Sequence, residues 1–474
     1  MTAHDRNATA ANDSDYIAKC SLSPAQSRIW LLSETGNEVV YGRQILAITF
    51  PSVALAAARR ALSRLSQQHP LITSEFEARA GGAVQQILKN DRFVEIVETE
   101  LVAGDDLSEA LARATSAERA RAIDLADGNP ARFIILTQNG EAFGAVFSLH
   151  AILADAVTLD LLATDFLRDI DGHDAADIAE EALPDALSWM IANGSPRNPT
   201  PELVDFWFQR LTAQENIASL PPQTSAAKGI VDEAWFEQVI EVPVGAAADT
   251  SRDMLAALGI TLRRHSGYST QRIGLVTRPQ RQKLAARSED VLILTTDLNG
   301  AMTLGDARAT FLEEIEAATR QSLPFEALAD ALIKRDELFD TTGLVKTLLD
   351  VRPSLRVAEA TSNGATVRGL VEPPARRDAD LVVTVSPATA GKLRIGIGFD
   401  PQKHDRKQVG RFADDLAIAL AQLDADPGTQ IKHIPFVSAE ELDRLSAPYP
   451  DAPEPDDGTP IHEVISAQAR RRPN

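Results

Sequence analysis

The side chains best placed for chemistry gather in LHAILADAVTL, Leu149 to Leu159, which holds His150 and Asp155. An imidazole beside a carboxylate in a turn is a candidate general base or acid, and equally a structural histidine closing a strand. Elsewhere the chain offers little. GxSxG, GxxxxGK[ST], HExxH and CxxC are all missing, so hydrolase, P-loop, zincin and thiol-redox readings have no motif behind them. Gly396 and Gly398 lie in a strand pattern and do not form a phosphate-binding loop. Cys20 is the single cysteine, which leaves neither a disulfide framework nor a cysteine-ligated metal site. His173, His404, His433 and His462 stand in polar or linker context, and no metal site is expected.

Two elements must hold that turn. Phe143, Ala145, Phe147 and Leu149 alternate with Gly144, Val146, Ser148 and His150, the period of a strand whose successive side chains face opposite ways. From Leu159 the apolar positions move to Leu162, Ala163, Phe166, Leu167 and Ile170, which form one face of a helix. A strand passing into a helix through a short turn gives the turn residues rigid support on both sides.

At these residues the stretch resembles the HHxxxDG signature of nonribosomal peptide synthetase condensation domains, in the chloramphenicol acetyltransferase-like superfamily. His150 stands at the first His and Asp155 at the Asp, while Ala151 occupies the second His and Ala156 the Gly. In that family the second His faces the acceptor amine, so the resemblance implies a catalytic motif that is degenerate here, with none of its catalytic set intact. Making an amide from a thioester requires an unprotonated amine, a place for the oxyanion and orientation of two tethered substrates. Loss of a positioned base typically costs about 10² to 10⁴ in rate.

Further segments carry the same resemblance. SLSPAQSRIWLLSE matches the family's SxAQxRLWxL opening at Ser23, Ala25, Gln26, Arg28, Trp30 and Leu32, with Pro24 at a helix start. QQHPLITSEFE is similar to RHExLRTxF, with His69, Leu71 and Phe76 kept and Thr73 at the second Arg. The family's second Arg pairs with the motif Asp, so Asp155 needs another arrangement. Arg132 or Arg28 pairs with it, backbone amides hold it, or water does. His69 by itself reads as a structural or surface histidine. AIDLADGNPARFIIL resembles the family's PFDLxxGPLLRxxL lead-in at Asp124, Leu125, Gly128, Pro130 and Arg132, and Trp189 reads as a core anchor. In the second half, SEDVLILTTDL keeps strand character without the family's Phe-Val-Asn-Thr, and Pro324, Phe325 and Glu326 match PFExL.

The whole composition bounds the partners. The chain has 474 residues, 44% of them hydrophobic, enough for two or three domains or one large bilobed unit. A formal net charge of −21 argues against nucleic acid or an anionic membrane surface as a partner. Residues 1–20 lack the pattern of a signal peptide, and no apolar run approaches the roughly 20 residues of a membrane span, so a cytoplasmic location is expected.

These readings predict an α/β, bilobed fold with a central cleft. A flexible leader at 1–18 precedes an N-terminal lobe at 19–195 and a C-terminal lobe at 196–445, the breaker cluster NGSPRNPTP lying between the lobes. Residues 446–474 read as a proline- and acid-rich linker followed by a helix resembling the first helix of an adenylation domain. The resemblance implies a catalytically impaired or inactive condensation-type domain acting as a platform for the downstream adenylation domain or a peptidyl carrier protein. Two other roles stay open, a non-standard acyltransferase using His150 or a water, and a module recruiting a tailoring enzyme in trans. No cofactor is expected to bind directly. Substrates, where delivered, arrive on the phosphopantetheine arm of a carrier.

Overall fold

The computed structural model describes residues 16–34, 43–78, 84–89, 93–101, 106–121, 123, 125, 130–172, 179–194, 199–213, 216–223, 235–241, 247–278, 284–336, 338–339, 344–352, 366–371, 379–387, 392–437, 439–446 and 460–471. Most of the expected leader, Asp124 and Gly128 of the lead-in, residues 195–198 of the breaker cluster and most of the linker lie outside these residues. The chain divides into two units, Met1–Lys432 and His433–Asn474.

Three sheets organise the first unit. A small one joins β1 (Tyr16–Ser21), β3 (Glu75–Ala78) and β4 (Val84–Lys89) in the order β1-β4-β3. Its first strand takes in Tyr16, Ile17 and Ala18, which the expected leader had included. The second sheet runs β12-β2-β7-β6-β5, from β2 (Arg43–Ala54), β5 (Glu95–Glu100), β6 (Ala131–Gln138), β7 (Glu141–His150) and β12 (Thr366–Val371). The third runs β10-β9-β11-β13-β14-β8, from β8 (Trp235–Glu241), β9 (Thr270–Thr277), β10 (Asp290–Asp297), β11 (Thr347–Val351), β13 (Leu381–Pro387) and β14 (Lys392–Phe399). Each larger sheet is built mainly from one half of the chain, with β12 crossing over to pair with β2.

The expected strand and helix around the motif are both present. Asn139 and Gly140, at φ 53° and 80°, turn β6 tightly into β7 and fix its register. Every residue of β7 from Gly144 onward is buried because helices cover both sides of its sheet. On one side Ala145, Phe147 and Leu149 join the core with α2 (Leu55–Gln68) and α4 (Ala156–Ile170). On the other, Val146 meets Ala110 and Leu111 of α3 (Leu107–Ala120). Phe133, Phe147, Phe166 and Phe50 form a chain of edge-on ring contacts with centroids 5.3 to 5.8 Å apart, and this chain fixes α4 against the sheet.

Around these sheets lie α1 (Pro24–Glu34), α5 (Ala179–Gly194), α6 (Pro201–Thr212), α7 (Ala247–Ser266), α8 (Leu304–Arg320), α9 (Phe325–Arg335) and α10 (Arg406–Ala425). Trp189 is partly buried and packs against a small cluster that includes Leu71, Leu88 and Met190. The second unit contains α11 (Ala439–Ser446) and α12 (Ile461–Arg471). Among the described residues no helix is long and apolar enough to cross a membrane.

Candidate functional site

The chain leaves β7 at His150, whose amide donates to Pro130 O at 2.6 Å and whose carbonyl accepts from Leu153 N at 2.9 Å. It then turns through Ala151, Ile152, Leu153 and Ala154, each no more than 3% exposed and each part of the main core cluster. Asp155 opens α4 as its N-cap. Its Oδ1 accepts from Thr158 N at 2.8 Å, and its own amide donates to Thr158 Oγ1 at 3.2 Å, a reciprocal capping box. Ala156 is the first helical residue and is 5% exposed.

His150 is 2% exposed, and its Nδ1 accepts from Ile152 N at 3.1 Å. A ring that accepts there carries its proton on Nε2. Burial, reinforced by the nearby Arg43 and Arg287 guanidinium groups, pushes the imidazole down to about 3. So weak a base is poorly matched to proton transfer, and the ring is committed to the turn through Ile152 N. Ala151 places a methyl group where the signature has its second His, and it is 1% exposed.

Asp155, also 1% exposed, is held by amides. Its Oδ2 accepts from Ser288 N at 2.9 Å, Ser288 Oγ at 3.2 Å and Glu289 N at 3.2 Å. Thr158 Oγ1 lies 2.8 Å from Oδ1 and 3.0 Å from Ala286 O, so its single proton serves one of the two. Of the arrangements left open by the sequence, the backbone-amide one is realised. Arg132 is committed elsewhere, forking onto both carboxylate oxygens of Glu95 at 3.0 and 2.7 Å and reaching Glu118 at 3.1 Å. Arg28 lies in α1, and its side chain is outside the described residues.

The amides that hold Asp155 belong to a strap, residues 284–289, that leads into β10. The strap is tied to the first half of the chain along its length. His69 Nδ1 accepts from Ala285 N at 3.2 Å, and Arg287 Nη1 donates to Ala151 O at 3.1 Å. Leu284 and Ala286 pack in the small cluster with Leu71 and Met190, whereas Ala285 joins the main core. Behind the strap Arg278 pairs with Glu289 at 2.7 Å and Asp350 at 2.6 Å, and Arg352 reaches Asp350 at 2.8 Å. Burial alone would raise Asp350, but the two guanidinium groups hold its carboxyl down at about 2.

Gln26 closes the other side of the turn. Its Nε2 donates to Ile152 O and to Gln86 Oε1, both at 3.2 Å, while its Oε1 accepts from Ser23 N at 3.0 Å. Gln26 thus completes the α1 capping box with Ser23 and also satisfies a carbonyl of the motif turn. Thr73 stays local, donating to Pro70 O at 2.8 Å within the 3-10 helix Pro70–Thr73. The sequence brought His150, Asp155 and Gln26 into view. It missed the strap, whose one signal is the polar run Arg287-Ser288-Glu289-Asp290 immediately before an apolar strand.

Two mixed sheets with helices packed on them, and a buried strand-turn-helix motif stitched to the second half of the chain, make an α/β fold of the chloramphenicol acetyltransferase-like type. More particularly, residues 17–446 match the Condensation domain, and the chain belongs to that family. Phosphinothricin tripeptide synthetase PhsC of Streptomyces viridochromogenes is 24% identical over 494 residues, covering 96% of this chain and 44% of that protein. The chain therefore spans less than half the length of the curated relatives it matches. Among solved structures, the starter condensation domain of rhizomide synthetase RzmA has a TM-score of 0.69 at 19% identity, covering 89% of this chain and all of that one. The complex of the X-domain and OxyB from teicoplanin biosynthesis has a TM-score of 0.65 at 18% identity, covering 91% of this chain and 99% of that one.

Proposed function

We propose that this chain is a condensation-type domain of a nonribosomal peptide synthetase that does not form the amide bond and acts as a structural and docking platform for its adjoining adenylation domain or a carrier protein. The observation that carries this reading is the state of the motif turn. Ala151 supplies no base, His150 is a neutral buried ring committed to Ile152 N, and both Asp155 oxygens are engaged with Thr158, Ser288 and Glu289. General acid–base catalysis needs a group near its working pKa within reach of the reacting atoms, and none of these residues meets that need. A carrier that meets the domain brings its substrate on phosphopantetheine, and the platform role requires no chemistry on it. The exposed Ile461 and Ile465 of α12, at 77% and 62%, fit a helix whose apolar side is completed by a following adenylation domain.

The test compares yield and amino-acid activation of the downstream domain made with and without residues 1–445. Lower yield or activation without them supports the platform. Unchanged values remove it.

A second reading, recruitment of a tailoring enzyme in trans, is favoured by the shared fold with the X-domain that was solved together with OxyB. Capture of a tailoring enzyme encoded with the synthetase, at an affinity the adenylation domain does not alter, would select it over the platform.

A further inference from the structure

His69 links the strap to the first half of the chain, and its proton state decides whether it can do so. The residue closes α2 as its C-cap and is 1% exposed. Its Nδ1 accepts from Ala285 N at 3.2 Å, and its Nε2 lies 3.0 Å from Asp165 Oδ2 on α4. A ring that accepts at Nδ1 is neutral and donates from Nε2 to the carboxylate, and this is the one ring state that satisfies both neighbours. A second proton on Nδ1 would set a donor against the Ala285 amide while strengthening the pair with Asp165. The two partners therefore pull the ring in opposite directions.

We propose that His69 is a proton-operated latch on the strap: neutral, it fastens Ala285, and protonated, it releases that residue. Asp165 faces Nε2 directly, and Arg168 on the same helix lies 3.8 Å from the other Asp165 oxygen. Along α2 and α4, Arg64 pairs with Asp169. Residues 70–73 of the 3-10 helix and 284–286 of the strap bring no charge, and α5, which packs on that 3-10 helix, carries the exposed Asp185. Release at Ala285 acts on the residues that follow. Ala286 O faces Thr158 Oγ1, and the Ser288 and Glu289 amides hold Asp155, so loosening the strap uncovers the motif turn from the second-half side.

Amide hydrogen exchange on the full chain, read as protection factors for residues 284–289 at pH 8 and pH 6, tests the latch. Protection should fall roughly fivefold to tenfold at the lower pH, the scale of one lost hydrogen bond. His69→Asn keeps an acceptor near the Nδ1 position and does not titrate, so its protection should be the same at both pH values. Nitrogen NMR of the ring in the unaltered protein gives a readout independent of that variant, with the Nδ1 resonance reporting protonation as Ala285 loses protection. Protection that is pH-independent in the unaltered protein, an equal fall in His69→Asn, or a protonated Nδ1 with Ala285 still protected would each overturn the proposal.

Discussion

The carboxylate of Asp155 accepts a hydrogen bond at 2.9 Å from the amide of Ser288, 133 residues further along the chain. A side chain at the heart of the family signature thereby serves as a fastener between the two halves. Its other acceptor positions are taken by Thr158, by the Ser288 hydroxyl and by Glu289 N. Removing the carboxylate leaves several buried donors unpaired. Asp155→Ala should cost about 3 to 5 kcal/mol, read from urea unfolding, against about 1 kcal/mol for a carboxylate without partners.

Arg132 and Asp155 should behave as independent sites, because Arg132 binds Glu95 and Glu118 instead. A double-mutant cycle with Arg132→Met and Asp155→Asn should give a coupling below about 0.5 kcal/mol. Coupling of several kcal/mol would restore Arg132 as the partner of Asp155.

Stability should decline on acidification in two windows. The folded-state value of about 3 for His150 lies below the ordinary imidazole value of ~6.5, so the unfolded chain takes up a proton that the native one refuses. This stability is present above pH ~6.5 and is lost as pH falls toward 3, amounting to about 2 kcal/mol by pH 5. Asp350, held at about 2, contributes stability that is lost later, as pH falls from ~3.9 toward 2. Unfolding midpoints at pH 7 and pH 5 check the first window, and His150→Asn, which keeps an acceptor and cannot titrate, should flatten it.

Restoring the signature at one position should not restore chemistry. Ala151 is 1% exposed among core side chains, so Ala151→His overpacks the turn and should lower stability by about 1 to 3 kcal/mol. The new ring would also lack a group to orient it. No amide product above background is expected from the variant with loaded donor and acceptor carriers, whereas robust turnover would show that the surrounding scaffold is intact.

The parts of this fold legible in the sequence are those with strong local periodicity. The alternation in Phe143 to His150 gave β7, and the spacing from Leu162 to Ile170 gave the buried face of α4. Ser23 and Pro24 marked a helix start, which the structure closes with a capping box between Ser23 and Gln26. What stayed hidden depends on contacts between residues distant in sequence. Nothing local to Thr366–Val371 says that it pairs with β2, and nothing near Asp155 says that Ser288 and Glu289 will hold it. Charge offered two partners for Asp155, Arg132 and Arg28, and backbone donors, which are identical at every residue, carry no sequence signal. His69 read as structural or surface on its own neighbours, and its bonds to Asp165 and Ala285 became evident only from tertiary packing.

The most direct test of the central claim is amide formation by this chain supplied with acyl-loaded donor and aminoacyl-loaded acceptor carrier proteins, with product followed by mass spectrometry. With Ala151 at the second motif position, His150 neutral and buried, and Asp155 bound by amides, the expected product rate equals that of the carriers alone. A rate well above that background, abolished by Asp155→Ala or by His150→Asn, would contradict the account and establish the turn as an active site.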